Sequence, residues 1–375
     1  MRLTDVETPT LLLDRLKLCR NIARMRARLA SLGGVGHRPH LKTAKSVEVG
    51  RLVAGVDGPI TVSTLLEAER FAEAGFSDIL YAVGIAPNKL DRVVALRRRG
   101  IDLAVVADNV EAAKAVAAAA RESGDRIPVL IEIDSDGHRA GVRPDEPELL
   151  VTIARALSEG AEVRGIMTHA GGSYDASTSA GLVQIAARER DSAVACAKTL
   201  RDAGFAAPVV SIGSTPTALS ATGLEGVTEV RAGVYLFFDL VMTGIGVATT
   251  DEIALSVLTT VIGHQRDKGW ILVDAGWMAM SRDRGTASQA VDQGYGLVCD
   301  SAGTPFADLV MVSANQEHGI LAIRDGSSAP LPDLPYGTRL RILPNHACAT
   351  AAQFSEYQVV EDGEIAARWP RFNGW

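Results

Sequence analysis

Cysteine is scarce in this chain. The four present, Cys19, Cys196, Cys299 and Cys348, lie too far apart to outline a disulfide framework. A reducing, cytoplasmic location is the expectation that follows. No apolar run reaches the roughly 18–20 residues that span a bilayer, and the opening MRLTDVETPT lacks the apolar stretch of a secretion signal. Membrane association is therefore not expected. Nor is there an excess of positive charge. Lys and Arg total 38 against 45 Asp and Glu, a net charge of −7, which removes the electrostatic footprint of a nucleic-acid binder. The one tight basic cluster, ALRRRG (95–100), closes an amphipathic stretch and reads as a solvated helix C-terminus. What remains is a globular composition, 375 residues with 47% hydrophobic content, enough for one large domain or two ordinary ones.

The first two thirds has a rhythm. Short apolar runs rich in β-branched residues alternate with Ala/Leu/Arg/Glu-rich stretches of helical period. The runs are VGHRPHLKT (35–43), PITVST (59–64), DILYAVG (78–84), DLAVVAD (102–108), PVLIEID (128–134), VRGIMTHAG (163–171), PVVSIGST (208–215) and VTEVRAGVYLFFD (227–239). Strands alternating with helices imply parallel βαβ units. Eight such units in about 200 residues predict a closed (β/α)8 barrel of the TIM type. After about residue 245 the pattern becomes β-rich and turn-linked, predicting a second, mostly antiparallel β domain. The expected domains are 8–245 and 246–375, the latter joined by residues 1–7.

Each run begins apolar and ends in chemistry, and the carboxyl ends of barrel strands are where active sites assemble. Lys42 ends the first. It is either a surface lysine or a desolvated amine able to form a Schiff base. Lys45, three residues on, is expected on the next helix and exposed. In SIGSTPTAL, Gly213, Ser214 and Thr215 form a turn into a helix start, either a phosphate site or a plain helix cap. Arg139 suits a carboxylate or a phenolic oxygen, or a loop salt bridge. His169, followed by a Gly pair and Tyr174, can stack on a cofactor or serve structurally. Gln316 and His318, in NQEHG, form a polar knot in an apolar β domain, open to either a substrate or a structural role. The last feature is NHAC. In a strand, i and i+2 share a face, so His346 and Cys348 could hold one ion, with zinc best matched to an imidazole and a thiolate and Mn, Co or Ni less so. Two protein ligands leave positions open for substrate. A nucleophile–base pair is disfavoured by the same side-by-side arrangement, and an inert strand remains the alternative.

Together RPHLKT, GSTPT, EVRAGVY and PNHAC resemble the fold-type III pyridoxal-phosphate enzymes of the D-threonine aldolase and D-serine dehydratase family, along essentially the whole chain. The resemblance implies an alanine-racemase-type barrel plus β domain, a homodimer, and a small amino acid as substrate. It implies that Lys42 carries pyridoxal 5'-phosphate, that Gly213, Ser214 and Thr215 cradle its phosphate, that Arg139, His169 and Tyr174 line it, and that His346 and Cys348 hold a divalent metal. Aldolases of the family generally carry aspartate where Cys348 stands and the dehydratases cysteine. Cys348 thus favours elimination of water from a β-hydroxy-D-amino acid: 3-hydroxyaspartate giving oxaloacetate and ammonia, or D-serine giving pyruvate. Aldol cleavage to glycine and an aldehyde is the first alternative. A racemase, and a non-catalytic pyridoxal-phosphate-binding protein, are others.

Overall fold

The computed structural model describes residues 1–375, which divide into two compact units, one of Met1–Ala23 with Val234–Asn373, the other of Arg24–Gly233 with Gly374–Trp375.

The second of these holds eight parallel strands: β2 (Gly36–His37), β3 (Ile60–Val62), β4 (Asp78–Gly84), β5 (Asp102–Ala107), β6 (Pro128–Ile133), β7 (Glu162–Thr168), β8 (Val209–Ile212) and β9 (Glu229–Val230). Seven lie within the expected runs, and β7 overlaps its run but starts one residue earlier, at Glu162. Their order is β2-β9-β8-β7-β6-β5-β4-β3, and a parallel bridge between His40 and Thr61 joins the two ends. The strands share an apolar cluster of Leu80, Ala104, Val106, Leu130 and Met167. Helices alternate with the strands: α2 (Val47–Ala54), α3 (Leu65–Glu73), α4 (Leu90–Arg98), α5 (Val110–Ser123), α6 (Pro147–Ser158), α7 (Ser179–Asp202) and α8 (Thr215–Ser220), after the long α1 (Arg15–Ser31). Their starts are set by local chemistry. Thr64, Asn109 and Thr178 accept hydrogen bonds from Glu67, Ala112 and Gly181, and Pro147 and Pro216 occupy first-turn positions where no N–H is needed. Because the strands run parallel, every polar strand end faces the same rim.

The other unit is built on β1 (Thr10–Asp14), β10 (Leu255–Gln265), β11 (Trp270–Val273), β12 (Gly296–Cys299), β13 (Pro305–Ala314), β14 (Gly319–Ile323), β15 (Arg339–Pro344), β16 (Glu356–Glu361) and β17 (Glu364–Pro370), with short helices α9 (Leu240–Gly244), α10 (Trp277–Met280) and α11 (Ala347–Ala351). Its order is β11-β14-β13-β12-β15-β10-β1-β16-β17, and β11 also pairs with β10. Six strands therefore close on themselves. All but the parallel β1–β16 pair are antiparallel. The long β10 serves both neighbours on one edge by shifting register at Val261/Gly263. β1 is an interior strand here, fully apolar at Leu11, Leu12 and Leu13. Both expected boundaries, 8 and 245, consequently fall inside the β-rich unit. No helix is long and apolar enough to cross a membrane.

Candidate active site

At the barrel rim, the chain leaves β2 through His40 and turns at 41–44, leaving Lys42 exposed. The Lys42 backbone N–H lies 3.4 Å from His40 Nδ1, and Ser63 Oγ lies 3.5 Å from His40 Nε2. The His169 ring bonds the Gly213 carbonyl through Nδ1 at 3.1 Å and tilts at 44° to the Tyr174 ring, with centroids 6.0 Å apart. Burial, reinforced by the charges of Lys42 and Arg139, pushes the His169 pKa down to about 3, and burial with Lys42 and Arg231 does the same in kind to His40. Both imidazoles are neutral. Arg231, buried at the end of β9, donates to the Thr168 carbonyl at 2.5 Å and to Ser211 Oγ at 2.9 Å. Arg139, half-exposed, pairs at 3.5 Å with Glu132, whose carboxyl burial pushes up.

Gly213 stands at φ +130, where a Cβ would come within 2.8 Å of the Arg231 carbonyl. Next to it, Ser214 and Thr217 form a reciprocal cap: Thr217 N donates to Ser214 Oγ at 3.2 Å, and Ser214 N to Thr217 Oγ1 at 3.1 Å. Capping, left open as a reading of this turn, is thus present. Glu189, buried on α7, ties the two loops together, its Oε1 accepting from Ala170 N at 2.9 Å and Gly213 N at 3.2 Å. Lys42, His169, Tyr174 and Gly213–Thr215 therefore share one rim. An exposed amine, neutral imidazoles and a glycine turn fit a cofactor bearing an aldehyde and a phosphate.

Lys45 departs from expectation. It is not on a helix but in a left-handed turn at φ +45, half-buried and paired at 3.2 Å with the fully buried Glu67. That carboxylate has its own rigid footing, accepting from Ser63 N at 3.2 Å. The pair holds Lys45 back from the exposed position that Lys42 occupies.

The β-rich unit carries the second cluster, and there NHAC corrects the strand reading. β15 ends at Pro344, His346 is the residue before α11, and Cys348 lies on the helix. The turn brings the two side chains into a shared hydrogen bond, which a flat strand disfavours. His346 Nδ1 also bonds Asp283 Oδ2 at 2.7 Å. Burial works against charge on the ring, yet Asp283 and Cys348 raise its pKa to about 11. A ring nitrogen and a sulfur that share a proton can share a cation instead, and a carboxylate on the other ring nitrogen is the usual support for a metal-bound imidazole. The donor set thus fits a divalent metal. Gln316 and His318 are exposed on the β13–β14 connection, with the Gln316 carbonyl accepting from Met278 N at 3.2 Å. Arg282 lies over the Trp277 ring, 4.5 Å from its centroid. Asp283, Glu189 and Glu67 were not singled out in the sequence. Each also touches a residue far along the chain, Asp283 to His346, Glu189 to Gly213 and Glu67 to Lys45, and no spacing rule links those pairs.

An eight-stranded parallel barrel with a lysine on its rim, followed by an antiparallel β unit, defines the alanine-racemase-like class of folds. Residues 13–241 match the family alanine racemase, N-terminal domain, and residues 254–360 a serine dehydratase domain. The chain is 55% identical to D-threo-3-hydroxyaspartate dehydratase of Delftia sp. (strain HT23) across 100% of its own length and 99% of that enzyme's. It is 32% identical to D-serine dehydratase of Dictyostelium discoideum, across 96% and 95%. The solved structure of the Delftia enzyme superposes with a TM-score of 0.97 at 54% identity, each chain fully covered. Variants of that enzyme solved with a histidine and, in a metal-free form, a cysteine replaced by alanine have those positions two residues apart. The chain belongs to the family of D-threo-3-hydroxyaspartate and D-serine dehydratases.

Proposed function

We propose that the protein is a pyridoxal-phosphate- and divalent-metal-dependent hydro-lyase that eliminates water from D-threo-3-hydroxyaspartate, giving oxaloacetate and ammonia, with D-serine as a lesser substrate. The observation that carries this reading is identity to the Delftia dehydratase along the whole chain, with a histidine and a cysteine at 346 and 348 in the spacing of its two replaced residues. Pyridoxal phosphate when bound supplies an electron sink for charge at the substrate α-carbon, and the metal supplies Lewis acidity toward the β-hydroxyl.

The chain's own residues do the rest. Lys42 Nζ would hold the cofactor and, as a free amine, would take the α-proton. Lys45 stays locked on Glu67 and does not compete for the cofactor. His169 and Tyr174 fix the cofactor's orientation from one side of the rim, and the neutral state of His169 keeps it from contributing a charge there. Gly213, Ser214 and Thr215 face the phosphate, and Arg139 a phenolic oxygen or a substrate carboxylate. His346 and Cys348 hold the metal. Gln316 and His318 are candidates for substrate contact. The enzyme works as a homodimer in the cytoplasm.

The test is to incubate the enzyme with D-threo-3-hydroxyaspartate, D-serine and D-threonine, with and without EDTA, and to identify the products. Keto acid and ammonia, lost on chelation, support dehydration. Glycine with glyoxylate or acetaldehyde makes it an aldolase, and activity indifferent to chelation removes the metal from the reaction.

A further inference from the structure

We infer that Asp283 is a positioning residue for the metal. It fixes the imidazole of His346 so that Nδ1 carries the proton and Nε2 is left to the ion. The inference rests on the reading of His346 and Cys348 as metal ligands, and goes beyond it by assigning the group that sets their geometry.

Three observations support it. First, both Asp283 oxygens are committed. Oδ2 faces His346 Nδ1 at 2.7 Å and Oδ1 accepts from Gly285 N at 2.9 Å, within its own loop. A carboxylate held on one side by its own backbone presents a fixed acceptor on the other. Second, its loop is stitched to the ligand segment on both sides of the pair. Thr350 Oγ1 donates to the Met280 carbonyl at 2.8 Å, and Thr286 N donates to Asn345 Oδ1 at 3.1 Å. Asn345 in turn donates to the Gly294 carbonyl at 2.7 Å. The loop from 280 to 286 and the segment from 345 to 350 thus move as one piece. Third, the residue between the two ligands is pinned separately. The buried Asp239 accepts from Ala347 N at 2.9 Å through Oδ2 and from Met242 N at 3.0 Å through Oδ1. The backbone of the pair is held by Asp239 and the ring by Asp283.

With Nδ1–H held by Asp283, Nε2 is the nitrogen that gives up its proton to an arriving ion, so the coordinating atom is set by the contact at Nδ1. Removing such an outer partner typically weakens metal binding about 10–100-fold. The experiment uses the full-length enzyme stripped of metal. Zn2+ is titrated in competition with a chromophoric chelator for the wild type and for Asp283→Asn, Asp283→Glu and Cys348→Ala. The metal-free melting temperature of each is recorded. The expected result is a dissociation constant raised about 10–100-fold in Asp283→Asn, recovered in part in Asp283→Glu, with the melting temperature unchanged. Cys348→Ala loses far more. An Asp283→Asn affinity equal to wild type, beside a Cys348→Ala variant that has lost the ion, overturns the inference and leaves the metal reading standing. A loss in Asp283→Asn as large as in Cys348→Ala makes Asp283 a ligand and overturns the positioning role. A wild type that binds no Zn2+, Mn2+, Co2+ or Ni2+ overturns the metal reading, and this inference with it. Should Asp283→Asn not fold, the comparison passes to Asp283→Glu, which keeps the charge and moves it. Wild-type affinity there, with the visible spectrum of the Co2+-loaded protein unshifted, counts against a fixed ring.

Discussion

Replacing Gly213 by alanine tests the phosphate turn most directly. Gly213 adopts φ +130, a conformation that L side chains rarely take, and its Cβ would lie 2.8 Å from the carbonyl oxygen, 3.0 Å from the nitrogen and 3.2 Å from the carbonyl carbon of Arg231. All three are backbone atoms of the neighbouring strand end, which cannot swing aside as a side chain can. Strain of order 1–3 kcal/mol from the dihedral and about 1–3 kcal/mol from the forced overlap put the cost at roughly 4 kcal/mol, the middle of the summed range. For a unit of about 200 residues that is a fall in melting temperature of roughly 8–16 °C. Gly204→Ala is the control. It shares a positive φ of +91 but has nothing within 4 Å of its Cβ, so it carries the strain without the overlap. Moving Gly213 also disturbs the His169 and Glu189 hydrogen bonds, so Gly213→Ala should release pyridoxal phosphate more readily while Gly204→Ala should not. Thermal melts and cofactor titrations of both variants decide it. Equal melting temperatures and equal cofactor affinity would show that the contact with Arg231 does not constrain the turn.

Lys42→Ala should abolish the visible absorbance of bound pyridoxal phosphate, read by spectrophotometry after dialysis against the cofactor. An unchanged spectrum, with Lys45→Ala losing it instead, would transfer the linkage to Lys45. Cys348→Asp should raise the ratio of glycine to keto acid formed from D-threo-3-hydroxyaspartate, measured by product chromatography, and no glycine at all would leave this cysteine without a part in the choice of bond. Burial holds His37 near pKa 4 and His169 near 3, with His40 also well below its usual value. In the unfolded chain these imidazoles bind protons near pH 6.5. Their contribution to stability is therefore full above pH 6.5 and is lost as pH falls toward 4 and 3, by up to about 1.4 kcal/mol per pH unit for each group. Melting temperatures measured from pH 7.5 down to 5 should fall. A flat profile would mean that the three rings are solvated.

The barrel was legible because its signal is local. Each strand is an apolar run, most helix starts carry a Thr or Asn cap or a first-turn Pro, and a parallel sheet puts all eight strand ends on one rim. Lys42, His169 and Gly213 could be found that way, since they follow strands. The misplaced features depend on distant partners. Thr10–Asp14 looks like any short β-rich run, and only its pairing with Leu255–Leu258 and Gln358–Val360 assigns it to the antiparallel unit. Lys45 resembles a helix-start lysine, but the buried Glu67 draws it into a left-handed turn. His346 and Cys348 follow a strand so closely that strand spacing was the natural reading. The helix after Asn345 alters their geometry, and the partner that orients the ring lies 63 positions earlier.

The placement of β1 bears on how the chain is made. Leu13 pairs with Leu255, so the first strand leaves the ribosome long before its neighbour exists. At roughly 5–20 residues per second the wait is about 12–50 s. During that time an apolar segment, Leu11–Leu13, has no sheet to join, while the barrel residues that follow can already fold among themselves. The nascent chain thus trails a sticky strand ahead of a finished domain. Strand β1 is where a chaperone would have most to protect, and where a slowed ribosome or a truncated transcript would most readily yield aggregates.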